Sequence, residues 1–197
     1  MASTPLEPLS RALDLFGQLL TGVGPEQWSR PTPCDAWNVH QLVDHVVSGQ
    51  RLAAEAVRGQ SAPPASGNSS RDDAPDDAVA AYQASAAALL SACAEPGALE
   101  RVVTVPAGTL PGAVVVHLRT TEAIVHGWDL ARATGLPFDV PSDLAEGELA
   151  FSRPLIERMP PGRGTFAPPR PSAEDAPVVE RLVALLGRDP AWAGPPD

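Results

Sequence analysis

The stretch between Pro111 and Pro137 reads as one long helix, and it constrains everything around it. Proline suits the first turn of a helix, where its missing N–H has no bond to lose, so Pro111 marks the start. Gly135 suits the left-handed position that closes a helix, and Pro137 prevents continuation, so the end falls near Thr134. Leu118, Thr121, Val125 and Trp128 follow one stripe, expected to fill a core. A neighbouring stripe, turned by about 100°, carries Arg119, Glu122, His126 and Asp129. Such a row beside a core stripe is either solvated or satisfied by its own members and their neighbours.

Three earlier segments supply partners for this helix. Leu9, Leu13, Phe16 and Leu20 recur at helical spacing and predict a helix over Pro8–Leu20. In PTPCDAWNVHQLVDHVV, Asn38 followed three residues later by Gln41 reads as a capping box. Trp37 and Leu42 stand where a hydrophobic staple would form, so a second helix is expected over Val39–Arg58. Residues 60–75, rich in Ser, Pro, Gly and Asp, predict a mobile loop. An alanine-rich third helix follows over Asp76–Cys93, and Val102, Val103 and Val105 predict a short extended piece before Pro106. The class is therefore all-α, with a four-helix bundle over residues 1–138. Residues 139–197 form a short, partly irregular C-terminal extension expected to pack on the bundle. Helices are expected there over Ser142–Arg158 and Ala176–Leu186.

A net charge of −10 and a pI near 4.7 argue against sequence-independent nucleic-acid binding and against an anionic membrane surface. Cys34 and Cys93 make no Cys-x-x-Cys pair, so neither a disulfide scaffold nor a thiolate zinc site is implied. The N-terminus lacks the basic start and apolar centre of a signal peptide, and no apolar stretch approaches a membrane span. A cytoplasmic protein is expected.

Glu122 and His126 are four residues apart, about 400° of helix, and so project from one face about a turn apart. His45 sits on the otherwise apolar or small stripe Leu42, His45, Gly49, Leu52 of the second helix. Two groups on one helix and a third from a facing helix is how bundles build metal sites, and three protein ligands are the number found at catalytic zinc. The bland alternative is a set of surface pairs, each contributing a few tenths of a kcal/mol, with His45 a hydrogen-bonded core group. Spacing alone favours the bland alternative, and the apolar setting of His45 brings the two readings into balance. His40 and His117 are rotated by about 140° from the ligand face and are expected to be surface residues.

PTPCDAWNVHQLVDHV together with TTEAIVHGWDLARATG resembles the actinobacterial maleylpyruvate isomerase-like branch of the DinB superfamily. The best-characterised members of that branch are mycothiol-dependent maleylpyruvate isomerases. The terminal LLGRDPAW is similar to the end of a subgroup described as metal-binding proteins. The resemblance implies a DinB-like bundle with a divalent metal held by His45 from LVDHV and by Glu122 and His126 from TEAIVH. Zinc is favoured by prevalence; nickel or ferrous iron would suit the same ligands. The characterised isomerase carries a larger C-terminal domain than this chain, a departure that bears on the substrate and not on the metal site.

The implied chemistry uses mycothiol as cosubstrate for S-transfer or isomerisation of a small electrophile. Metal-assisted hydrolysis and non-catalytic metal binding, as in a sensor, are the alternatives. Two further residues take catalytic roles in this reading. Asp129 would orient a ligand or serve as a base, and Arg119 would bind a carboxylate of substrate or cofactor. Asp44 is expected to face solvent, and Cys34 to be a partly buried loop thiol near the mouth of the site. Trp37 and Trp128 are expected to be packing residues.

Overall fold

In a computed structural model, residues 6–35, 37–60, 75–158 and 166–194 are described. The order of elements is α1 (Glu7–Thr21), α2 (Val39–Val57), α3 (Pro75–Cys93), β1 (Val102–Val105), β2 (Gly108–Pro111), α4 (Gly112–Thr134), α5 (Ser142–Arg158) and α6 (Val178–Leu185). The expected loop over residues 60–75 lies, from 61 to 74, outside the described residues.

The apolar stripe of α1 is wholly inside: Leu9, Leu13, Phe16 and Leu20 are buried. Phe16 stacks on Tyr82 of α3 at 4.9 Å between centroids, and the Tyr82 hydroxyl donates to the Leu13 carbonyl at 2.7 Å. A buried phenol needs such an acceptor, and this one ties α3 to α1. α2 starts where its capping box places it. Gln41 N–H donates to Asn38 Oδ1 at 2.9 Å and Asn38 N–H donates to Gln41 Oε1 at 3.1 Å. The helix ends one residue before the expected Arg58, which takes the C-cap position.

α4 is the central element, packed against α1, α2, α5 and α6. Every residue from Ala123 to Leu130 is buried. The core stripe is corrected at one position: Thr121, Val125 and Trp128 are in the core but Leu118 is only partly buried, while the polar stripe takes the second of its two alternatives and faces protein rather than water. Gly135 closes α4 at φ 76° with its N–H on the Ala131 carbonyl at 2.8 Å, a backbone conformation that favours glycine.

The valine-rich piece is half of an antiparallel hairpin, with Val102 opposite Pro111 and Val105 opposite Gly108. β2 was not expected, since GTLP carries no alternation and is recruited by β1 through the backbone. After α4, α5 and α6 pack on each other and both touch α4. They bury Leu144, Leu149, Leu182, Val183 and Leu186. α6 begins at Val178 rather than Ala176, with Pro177 as its N-cap. Among the described residues no helix is long and apolar enough to cross a membrane.

Candidate metal centre

α2 presents His45 toward α4, and α4 presents Glu122 and His126 back. One potential ligand atom from each lies within 4.8 Å of the others. His45 Nε2 is 3.6 Å from Glu122 Oε2, and the two imidazoles meet edge to face at 5.1 Å. The two oxygens of Glu122 differ. Oε1 accepts from the Arg119 guanidinium, whereas Oε2 is buried without a hydrogen-bond partner among the described residues. A buried carboxylate oxygen left without a donor is costly, by about 1–3 kcal/mol or more. Two imidazoles and this oxygen are the donor types, and the number, that a catalytic divalent metal takes from protein. The residues fit the group.

Their protonation fits as well. Burial alone would raise the Glu122 pKa, but Arg119, His45 and His126 outweigh it and hold the group down at about 2. Glu122 is therefore a carboxylate at any neutral pH. For His126 the order reverses: burial pushes the pKa down, against the hydrogen bond and charge of Asp129, and favours the neutral ring that metals require. His126 Nδ1 lies 3.0 Å from Asp129 Oδ2, which leaves Nε2 as the free ring nitrogen.

Asp129 is fully buried, and its second partner is Arg188 beyond α6. Arg188 Nη2 donates to Oδ2 at 2.9 Å, and Nε lies 3.3 Å from each oxygen. Enclosed by Arg188 and His126, the Asp129 carboxylate has no solvent face.

The family model described as the mycothiol maleylpyruvate isomerase N-terminal domain matches residues 9–131, a span that includes all three residues of the cluster. The chain belongs to this family. Two Mycobacterium tuberculosis proteins, "Uncharacterized protein MT0763" and "Uncharacterized protein Rv0738", are each 38% identical to it over 185 residues, covering 93% of this chain and 97% of theirs. A crystal structure of the mycothiol-dependent maleylpyruvate isomerase superposes with a TM-score of 0.59 at 20% identity, over 74% of this chain and 66% of that one. A single-site variant of that enzyme gives the same TM-score at 17% identity. At such identities the match establishes a shared fold, the all-α DinB-like bundle.

Other residues of this family member fall differently from expectation. Arg119, expected to bind a carboxylate of substrate or cofactor, is ion-paired with Glu122. It is lodged where α2 has Gly49, and a Cβ at that position would overlap the guanidinium. Trp37, expected as a staple, has its ring stacked on His45 at 4.1 Å and edge-on to His126 at 5.7 Å, so it walls the cluster. Trp128 is buried in the core as expected. His40 stays outside the cluster, but it is partly buried against Trp28, with Asp44 Oδ2 at 3.5 Å from its Nδ1. His117 also stays outside, half-exposed, stacked on Phe151 and 3.0 Å from the buried Glu148. Cys34 is partly buried, as expected.

Arg188 is the residue that sequence reasoning missed. Its signal was available, as a lone arginine directly after the apolar run of the last helix in LLGRDPAW. A cavity of about 420 Å³, lined by Ser29, Asp35, Asn38, Gln41 and Trp192, shares the Trp37 wall with the cluster.

Proposed function

We propose that this chain is a divalent-metal-dependent enzyme that uses a low-molecular-weight thiol, mycothiol, for S-transfer or isomerisation of a small electrophilic substrate. The observation that carries the reading is Glu122 Oε2, a buried, ionised oxygen with no donor among the described residues, which faces His45 beside His126. His45, Glu122 and His126 would hold the metal, with zinc the best match to two imidazoles and a carboxylate and nickel or ferrous iron also suited. Such an ion, when bound, supplies a Lewis acid that makes a thiol a thiolate at neutral pH.

The chain's own residues do the rest. Arg119 holds Glu122 in place and charged, and Asp129 fixes which nitrogen His126 offers. Trp37 shields the imidazoles on one side, while the His45 side chain, 35% exposed, marks the side open to small molecules. The cavity beyond Trp37 has room for the polar body of a thiol cosubstrate, and the Asn38 and Gln41 amides there spend their oxygens on the capping box, leaving their N–H₂ groups to donate. Membership of a family named for mycothiol chemistry supports the choice of thiol. Hydrolysis would need a base beside the open position, and Asp129 is enclosed. The chain spans 66% of the solved isomerase, so maleylpyruvate itself is not carried over as substrate.

The test is titration of the cobalt-loaded protein with mycothiol, beside an assay for thiol-dependent loss of a small electrophile. A thiolate-to-cobalt charge-transfer band and thiol-dependent turnover are expected. No band at saturating thiol, with ester or amide cleavage that needs no thiol, would make the protein a hydrolase.

A further inference from the structure

The Asp129 carboxylate joins α4 to a residue 59 positions further along the chain. On one side is His126, a turn earlier on α4, at 3.0 Å. On the other is Arg188, which reaches it through both Nε and Nη2. Arg188 is itself anchored: Nη1 donates to the Leu186 carbonyl at 3.2 Å, and its backbone N–H donates to the Val183 carbonyl at 2.9 Å. An exposed ion pair would hold nothing firmly. Here both partners are buried, and a two-point guanidinium contact fixes the plane of a carboxylate as well as its position.

We infer that Arg188 is a positioning residue of the metal site, acting through Asp129 on His126. The segment that follows α6 is then part of the site rather than a cover over it. This rests on His45, Glu122 and His126 being metal ligands. With Asp129 fixed, the His126 ring has one orientation in which Nδ1 is satisfied, and Nε2 is the nitrogen left for the cluster. Without Arg188 the carboxylate can swing, and the ring swings with it. The segment is pinned at two further places: Arg132 of α4 donates to the Pro190 carbonyl, and Arg170 Nε donates to the Gly187 carbonyl at 3.2 Å. Docking of this segment and metal affinity are therefore linked, and whatever tightens one tightens the other.

The test is zinc affinity of the metal-free protein, read by competition with a chromophoric chelator, for wild type, Arg188→Ala, Arg188→Lys, Asp129→Asn and the Arg188→Ala/Asp129→Asn double variant. Arg188→Ala and Asp129→Asn should each weaken zinc binding by about 10–100-fold, the usual effect of losing a group that orients a ligand. Arg188→Lys, which keeps the charge but not the two-point contact, should fall between. The double variant should bind about as the weaker single variant does, because both break one connection. Hydrogen exchange over residues 186–192 of the wild type should slow when zinc is added.

An Arg188→Ala protein with wild-type zinc affinity and only a lower unfolding midpoint would overturn the inference, leaving Arg188 as a brace of the fold. Additive losses in the double variant would overturn it too. Should Arg188→Ala fail to fold, Arg188→Lys and the exchange measurement decide: wild-type affinity with exchange indifferent to zinc refutes the connection. Wild-type protein that takes no zinc would refute the metal reading and this inference together, whereas wild-type binding with an unaffected Arg188→Ala refutes only the latter.

Discussion

Glu122 and His126 both depart from their ordinary pKa values, and the directions have a consequence for the metal-free protein. Glu122 is held at about 2 against an ordinary 4.5, so the stability it contributes is present above 4.5 and is lost as pH falls toward 2. The pKa of His126 is lowered from 6.5, chiefly by burial, so below 6.5 the unfolded chain takes up the proton more readily and stability falls again with acid. His117 has the opposite sign. Its pKa is raised by the hydrogen bond to Glu148, a contribution present below 6.5 and lost as pH rises through the folded value. Urea unfolding of the metal-free protein should thus show stability declining on acidification below 6.5. Glu122→Gln should flatten the part of the curve below 4.5, and His117→Ala should remove the loss of stability that sets in as pH rises above 6.5. His117→Ala also leaves buried Glu148 with Thr121 as its remaining donor among the described residues, at 2.8 Å, and should cost about 1–3 kcal/mol at neutral pH without altering metal content. At this scale part of the cluster was legible, because helical spacing puts Glu122 and His126 on one face. What encloses Arg119 and Asp129 was not, because it depends on Gly49 of α2 and on Arg188, which no local pattern connects to α4.

α2 and α4 hold the cluster, and each carries a local device that can be removed. Asn38→Ala deletes the side chain that accepts from Gln41 N–H and should destabilise the protein by about 1 kcal/mol, read from the urea midpoint. Gly127, next to His126, is different. A Cβ there would run into the Phe138 ring that closes over the end of α4. Gly127→Ala should cost about 1–3 kcal/mol as overpacking, even though alanine is the better helix former. The ends of these helices were readable since each is marked within a few residues: Asn38 with Gln41 for α2, Pro111, Gly135 and Pro137 for α4. β2 was not, because Gly108–Pro111 becomes a strand only by pairing with Val102–Val105. The burial of the polar stripe of α4 was also hidden, because a helix pattern shows which residues share a face and not what later elements cover it.

Across the whole molecule, the Asp129 carboxylate is one of the points where the bundle meets the segment after it, with α4 on one side and Arg188 on the other. The bundle was legible as periodic apolar segments. How the residues after α4 fold back was not, since their contacts span the chain. The Mycobacterium tuberculosis relatives align over 93% of this chain, the region after α4 included, so the Arg188 question extends beyond residues 9–131 of the family match. The central claim is that three residues from two helices bind one metal. Calorimetric titration of the metal-free protein with zinc, on wild type and on His45→Ala, His126→Ala and His40→Ala, tests it most directly. The expected result is about one zinc per chain for wild type and His40→Ala, with high-affinity uptake lost in His45→Ala and His126→Ala, because two remaining ligands do not outcompete hydration. Wild type that takes up no zinc, or uptake that survives both His45→Ala and His126→Ala, would contradict it.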